Sequence, residues 1–395
     1  MIWPFRRTEK RAELLTQRDL RLVEWFGGEA HFGQRVNAVT SEWLSAVAAA
    51  IDAISGTIAS LPALTFRVTG GGREEDPDHP LARLVRDGWN DGLTWADGVQ
   101  WWTAETLRYG NGLAEKVYDD SGRLRELKPM PYERTAIKVL PSGRLVYDFT
   151  DAFTYRRRRL LDTEVMHLKD RSNDGVIGMA RSSRAHPVIG AALALQEFAG
   201  NATKNGSYPS GTLTADGKLS KEALEQLKAR FTELFTGPSK AAKALILDQG
   251  VKFNSVSQSP EDMELLGARR FAIEEAARLY GVPGAIINDH SRSTFTNSET
   301  LIRFFAQSTI SMWCRKIEGE AHRSIFSTSA RRTHQFELDL SGLLRGDPET
   351  RWKSHEIALK NRVLTPNEIR DLEGWNPRDG GDEFEAARAE TGAQQ

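Results

Sequence analysis

Apolar residues along this chain switch repeatedly between the 3–4 spacing of a helix and the alternation of a strand. Residues 36–60 carry a helical pattern that Pro62 stops. LTFRV (64–68) alternates as a strand, and GGGR (70–73) turns it. HPLARLV opens a short helix, and Thr94 stands as N-cap before WADGVQWWTAETLRYG, with Asp97 in the first turn. GLAEKVYDD and LRELKPM read as strands around a turn at SGR. AIKVLPSGRLVYDFTD reads as a hairpin turned at Pro141-Ser142-Gly143, and EVMHLKD (164–170) as a further strand. Residues 64–170 are therefore expected to form an α+β unit.

The second half is more helical. HPVIGAALALQEFAGNATKNG (186–206) has Pro187 in its first turn and is rich in small residues, which predicts close packing against a neighbour. Residues 207–258 read as a compact insert: GTLT as a strand, a helix capped by Ser220, then KALILD and GVKFNSV as strands around Gln249-Gly250. Ser259, Pro260, Glu261 and Asp262 form a helix start, and Met263, Leu266, Ile273, Ala277 and Tyr280 its apolar stripe. Gly281 and Pro283 end that helix. Thr296 and Glu299 form a capping box for the next helix, which is expected to run to about residue 323. QFELDL (335–340) is a strand. Asp347-Pro348 and Thr365-Pro366-Asn367-Glu368 open two short helices, and the tail after Pro377 is expected to be loosely ordered.

Between the two strongest helix signals lies GAIINDHSRSTFTNSE (284–299), polar and with Arg292 as its one Lys or Arg. Helix signals on both sides, and no catalytic pattern within it, make this loop the feature to be explained.

Composition narrows the choices. The chain has 395 residues, 39% hydrophobic and 27% charged, with formal net charge −1, so no overall basic field marks a nucleic-acid binder. Its one cysteine, Cys314, sits in an apolar helical stretch and reads as a core residue; no disulfide framework is possible within one chain, and a reducing cytoplasm is the expected setting. The N-terminus lacks the pattern of a secretory signal. The most apolar stretch, residues 44–64, carries Asp52 at its middle and reads as a packed helix, not a membrane span.

Enzyme signatures fail one at a time. His355-Glu356 begins a zinc motif that no second histidine completes, and the eight histidines are scattered in sequence. There is no G-x-S-x-G elbow. Tyr109-Gly110-Asn111-Gly112 lacks the third glycine of a dinucleotide loop and precedes a strand. Gly211…Gly217-Lys218 has five residues between its glycines where a P-loop has four, and Leu219 where it needs Ser or Thr. Arg156–Arg159 is the one dense basic run; it reads as a DNA contact or as a solvated or subunit-contact segment. Trp95, Trp101 and Trp102 read as core or interface residues.

The order of segments resembles the portal proteins of long-tailed phages, most of all the portal of alphaproteobacterial gene transfer agents. SLPALTFRV with DHPLARLVRD resembles the start of that family's wing, and LRYGNGLAEKVYDDSGRLRELKPMPYERTAI its strand-rich stretch. EVMHLKDRSNDGVIGMARSS resembles the approach to the stem, and NGSYPSGTLTADGKLSKEALEQLKARFTELF the clip. SPEDMELLGARRFAIEEAARLYGVPGAIIND is similar to the second stem helix running into the tunnel loop. The resemblance covers about residues 36–340.

The resemblance implies an α+β fold of portal type: an arm (1–25), a wing (26–184 and 297–341), stem helices (185–205 and 259–282), a small α/β clip (206–258), a tunnel loop (283–296) and a helical crown with its tail (342–395). It implies a homo-oligomeric ring of about twelve subunits at one capsid vertex, through which double-stranded DNA is packaged and ejected. The implied partners are the major capsid protein, the terminase motor and a head–tail adaptor, with no membrane, metal or cofactor. The setting is a virion or virus-like particle assembled in the bacterial cytoplasm. Asn288, Asp289, His290, Ser291, Arg292, Ser293 and Thr294 would face the DNA. Lys218, Lys221, Lys228, Arg230, Lys240 and Lys243 would meet motor or adaptor. Gly190, Ala191, Ala194, Arg269 and Arg270 would pack the stem. The competing expectation is an enzyme of a phage-like particle, a hydrolase acting on DNA or capsid through an unrecognised site.

Overall fold

The computed structural model describes residues 33–70, 72–151, 154–204, 212–215, 225, 251–254, 265–287, 295–344 and 348–384. The chain divides into two compact units, Met1–Leu338 and Asp339–Gln395.

The first unit begins with α1 (Ala38–Ser41) and α2 (Ser45–Ala59), broken where Leu44 turns extended. The helical pattern over 36–60 is thus two helices: the capping box of Asn37 and Thr40 opens a single turn, and the chain restarts at Ser45. α2 buries Val47, Ala50, Ile51, Ile54 and Ile58 and leaves Asp52 exposed, as an amphipathic helix should. Strand β1 (Ala63–Thr69) turns back into β2 (Gly72–Glu75), and β11 (His334–Leu338) joins on the far edge, so one sheet runs β11-β1-β2.

α3 (Pro80–Asp87) is capped by His79, whose Nδ1 accepts from the Leu81 amide. α4 (Trp95–Tyr109) is capped by Thr94, whose Oγ1 accepts from the Asp97 amide at 3.1 Å. Two antiparallel three-stranded sheets follow. The first, β4-β3-β8, contains β3 (Asn111–Tyr118), β4 (Leu124–Pro129) and β8 (Val165–Lys169). The second, β5-β6-β7, contains β5 (Thr135–Val139), β6 (Leu145–Thr150) and β7 (Arg157–Leu161). The β5–β6 turn closes at Gly143, with φ +79 and its amide donating to the Leu140 carbonyl. Tyr109, Leu113, Tyr132, Ile137, Tyr147, Phe149 and Leu160 form a shared core for these elements.

Gly110 ends α4 in the left-handed region at φ +80. A Cβ on Gly178 would lie 1.9 Å from the Gly110 carbonyl oxygen, and one on Gly112 only 2.3 Å from the Thr106 hydroxyl. The glycines of YGNG are therefore a helix stop and a close strand approach.

After α5 (Arg181–Arg184), α6 (His186–Lys204) packs along α7 (Leu265–Tyr280), α2 packs on α7, and Val36 and Leu44 ahead of α2 cluster with Ile189, Leu193 and Leu279. Between them β9 (Thr212–Ala215) pairs antiparallel with β10 (Val251–Asn254). The expected Ser220-capped helix, the KALILD strand and the Ser259 cap lie outside the described residues. α8 (Phe295–Phe305) leads through a π-turn, Ala306–Ile310, into α9 (Ser311–Ser324). One expectation is corrected here: Thr296 lies inside α8 and is not its N-cap. The helix runs on through the π-turn to Ser324, close to the expected end near residue 323.

The second unit holds α10 (Ser341–Leu344), α11 (Pro348–Lys360) and α12 (Pro366–Leu372). The capping box at Thr365 is present, with the Thr365 amide donating to Glu368 at 2.7 Å. The loose tail is corrected over residues 377–384: Asn367 Nδ2 donates to the Arg378 carbonyl and to Asp382, and its Oδ1 accepts from the Arg378 amide. No described helix is long and apolar enough to cross a membrane.

Candidate functional site

The described segments that carry the 288–294 loop converge on Arg181. Its Nε donates to Asp170 Oδ2 at 2.7 Å, and its Nη1 to the carbonyls of Leu279 and Tyr280 at 3.3 and 2.9 Å. Its guanidinium carbon lies 5.3 Å from the Tyr280 ring centre and 5.7 Å from that of Trp313. A planar, five-donor cation between two aromatic faces makes all these contacts at once; an ammonium group could not. The carbonyls it binds are the last of α7, where the helix end carries partial negative charge.

Asp170 is buried and also meets Arg184 at 3.1 Å and Lys316 at 3.9 Å. Lys316 donates to the Lys169 carbonyl at 3.0 Å. The strand end after β8, the start of α5, the end of α7 and the body of α9 thus share one ionic knot. Beyond it, Gly281 turns at φ +69, and its carbonyl accepts from the Thr309 hydroxyl at 2.6 Å. Thr309 reaches that carbonyl from the π-turn, a feature often found at functional sites.

A second knot holds the sheet beside it. Asn111, fully buried, donates from Nδ2 to the Gly178 carbonyl at 2.9 Å and accepts at Oδ1 from the Gly178 amide and from His167 Nε2. His167 Nε2 therefore carries the proton, and Nδ1 accepts from the Tyr147 hydroxyl at 3.0 Å. Burial lowers the His167 pKa to about 3, which keeps the ring neutral, and burial also raises the Tyr147 pKa. The network is closed to solvent and satisfied, so it serves position and not catalysis.

The residues expected to pack a stem are placed as follows. Gly190 is buried, Ala194 is half-buried, and Ala191, Arg269 and Arg270 are exposed on the α6/α7 pair. Beside them runs an apolar groove of about 410 Å³ lined by Pro187, Val188, Ala191, Leu195, Ala268 and Phe271, with Glu275 at its edge. Loop residues Asn288–Thr294 and the insert residues Lys218, Lys221, Lys228, Arg230, Lys240 and Lys243 lie outside the described residues.

The arginine run resolves into a strand that sequence reasoning missed. Arg158 grips Glu115 with two bonds of 2.7 and 2.6 Å, and Arg159 grips Asp148 at 2.6 and 2.9 Å. The Arg159 hydrogen bonds hold the Asp148 carboxyl well below the usual carboxylate range. Neighbouring sheet carboxylates thus engage half of the run. Three of the scattered histidines also converge: the rings of His79, His322 and His334 lie 4.9, 5.6 and 6.3 Å from that of Phe326. Their polar contacts are with the Leu81 amide, the Arg331 carbonyl, and Asp76 with Thr333. Among the described residues no group of three or more His, Cys, Asp or Glu side chains is placed to hold a metal ion. Cys314 is buried, which pushes its thiol up to about 12, and the expected core role holds.

Comparison with known proteins gives a consistent answer. The sequence model of the family described as phage portal protein matches residues 45–374. The chain is 27% identical over 367 residues to the probable portal protein of Streptomyces phage phiC31, covering 89% of this chain and 79% of that one. It is 27% identical over 364 residues to the portal protein of Enterobacteria phage HK97, covering 91% and 84%. Its fold is similar to a chain in the neck of a native gene transfer agent particle computed with C12 symmetry, with TM-score 0.57, 20% identity, and coverage of 91% of this chain and 94% of that one.

Proposed function

The chain belongs to the phage portal protein family, and we propose that it forms a ring of about twelve subunits at one capsid vertex, whose axis is the channel for double-stranded DNA. The observation that carries the proposal is extent: the family match runs from residue 45 to 374, across both the sheets and the α6/α7 pair. The twelve-fold number follows the C12 symmetry of the similar particle neck. Heterologous contacts, each subunit to the next, close such a ring.

In this reading residues 26–184 and 297–341 are the wing, 185–205 and 259–282 the stem, 206–258 the clip and 342–395 the crown. The tunnel loop, 283–296, brings Asn288 to Thr294 to the narrowest part of the channel. A ring multiplies each side chain into a belt, so Arg292 becomes a ring of positive charge and Asp289 one of negative charge. Short polar side chains and near-zero net charge suit a channel that must let phosphates pass, since each tight phosphate contact adds salt-dependent affinity. The Arg181 knot suits the same role: it fixes the end of α7 from which this loop departs. The clip lysines and arginine would meet the terminase and later the head–tail adaptor, and the wing the major capsid protein. The sequence carries no P-loop, so the motor is a separate protein. The subunit is a conduit and docking hub, not an enzyme.

Electron microscopy and native mass spectrometry of the purified chain test this. Annular particles with a central opening are the expected result. A monodisperse monomer with a metal-dependent hydrolase activity would overturn the proposal.

A further inference from the structure

The α6/α7 pair has two unlike faces. α2 covers one, where Leu44, Ser45 and Ala46 share a small recess with Gln196, Arg269 and Ile273. On the other the 410 Å³ groove stands open between Val188 and Phe271, which are 38% and 58% exposed. Ala192, Leu195 and Ala272 line both recesses, so they form the seam between the two faces. Beside α2 stands Trp43, 62% exposed, with its backbone carbonyl accepting from Gln196 Nε2 at 3.4 Å. Tryptophan is enriched among residues that dominate interfaces.

We infer that the Trp43 indole of one subunit seats in the α6/α7 groove of the next copy of this chain. The inference rests on the ring reading above and specifies the contact that closes it. Two observations favour a second copy as the occupant. A projecting aromatic knob and an apolar recess lie on opposite faces of one two-helix layer, which a head-to-tail contact requires and a two-fold contact does not. The recess is lined by apolar side chains apart from Glu275, which is paired with Arg278 along its helix and keeps a second carboxylate oxygen for an indole N–H, so it suits a side chain with an apolar body and one donor. The exposed Ala191 then has a purpose, since a larger residue there would fill the groove.

The test uses the full chain. Cys314 is only 2% exposed, so thiols placed at the surface react alone. The double variant Trp43→Cys/Ala191→Cys, treated with a short bis-maleimide, is expected to give a ladder of covalent multimers on a denaturing gel, with each single variant staying monomeric. In parallel, Trp43→Ala and Ala191→Phe are each expected to raise the protein concentration needed for half-maximal ring assembly by tenfold or more, read by mass photometry, with unchanged melting temperature. Rings that form without cross-links, at the wild-type concentration in Trp43→Ala, overturn this contact and leave the ring reading intact. A cross-link confined to monomers overturns it too, because the chain's own segment then fills the groove. Failure of the wild-type chain to form rings at all overturns both.

Discussion

Arg181 binds Tyr280 twice: its guanidinium carbon lies 5.3 Å from the ring centre, and its Nη1 donates to the same residue's carbonyl at 2.9 Å. One side chain thereby fixes both the end of α7 and the aromatic that closes it. Arg181→Ala is expected to destabilise the protein by about 3 kcal/mol, because it leaves a buried carboxylate with more distant partners and frees two helix-end carbonyls. Arg181→Lys should recover little of this, since it restores charge without the planar fork. Chemical denaturation reads the loss, and hydrogen exchange should show it first at the 277–287 amides.

Gly178 and Gly200 are expected to respond in opposite ways to alanine. A Cβ at Gly178 would stand 1.9 Å from a backbone oxygen, while one at Gly200, inside α6, meets nothing within 4 Å. Gly178→Ala should cost roughly 2–3 kcal/mol by overpacking. Gly200→Ala should gain about 0.5–1 kcal/mol from helix propensity. Paired melting curves decide it; equal effects would mean that the Gly178–Gly110 approach is not tight.

Glu105 predicts a fall in stability as pH rises. Burial lifts its pKa from the usual 4.5 to about 7, against the Tyr132 amide and Arg108, which favour the charge, with Glu133 and Glu42 nearby. The folded state thus holds a proton that the unfolded chain releases earlier. That stabilisation is fully present below the unfolded value and is lost as pH passes through 7, by up to about 3 kcal/mol. Glu105→Gln, which mimics the protonated form, should flatten the profile between pH 4.5 and 7. His167 acts with the opposite sign: its neutral ring contributes stability above its usual 6.5 that is lost as pH falls towards 3.

Arg292→Ala tests the proposed channel directly. Particles carrying it are expected to assemble rings and capsids in normal numbers but to package or retain less DNA, read as DNase-protected DNA per particle. Loss of rings would instead make Arg292 an interface residue.

What the sequence disclosed was local. Pro141-Ser142-Gly143, the Thr365 capping box and the Gly281 stop each act through neighbours in the chain, so their residues announce them. What it hid was long-range. β7 reads as an arginine run because its partners, Glu115 and Asp148, lie on other strands. Asn111 looks like part of a failed glycine motif until Gly178, distant in sequence, supplies the peptide that its amide pairs with. The π-turn has no signal in AQSTI, since Thr309 bonds the Gly281 carbonyl across space. Of the candidate site, the α6/α7 frame was legible from its small residues and apolar stripes. The groove and Trp43 were not, because an exposed apolar residue cannot be told from a core one by periodicity.

The π-turn also resets the phase of the helix that contains it. Phe305 and Trp313 are 4% and 0% exposed, so both face the interior. In an unbroken α-helix, side chains eight positions apart point about 80° away from each other. The wider turn between them absorbs about one residue, roughly 100° of rotation, and brings the two rings back to within about 20°. Removing one residue from 306–310 would leave a regular α-helix with Phe305 and Trp313 still in phase, whereas straightening the turn without a deletion would swing them about 80° apart. The helix carries an extra residue as a rotational offset, and the core on its two sides is built to that offset.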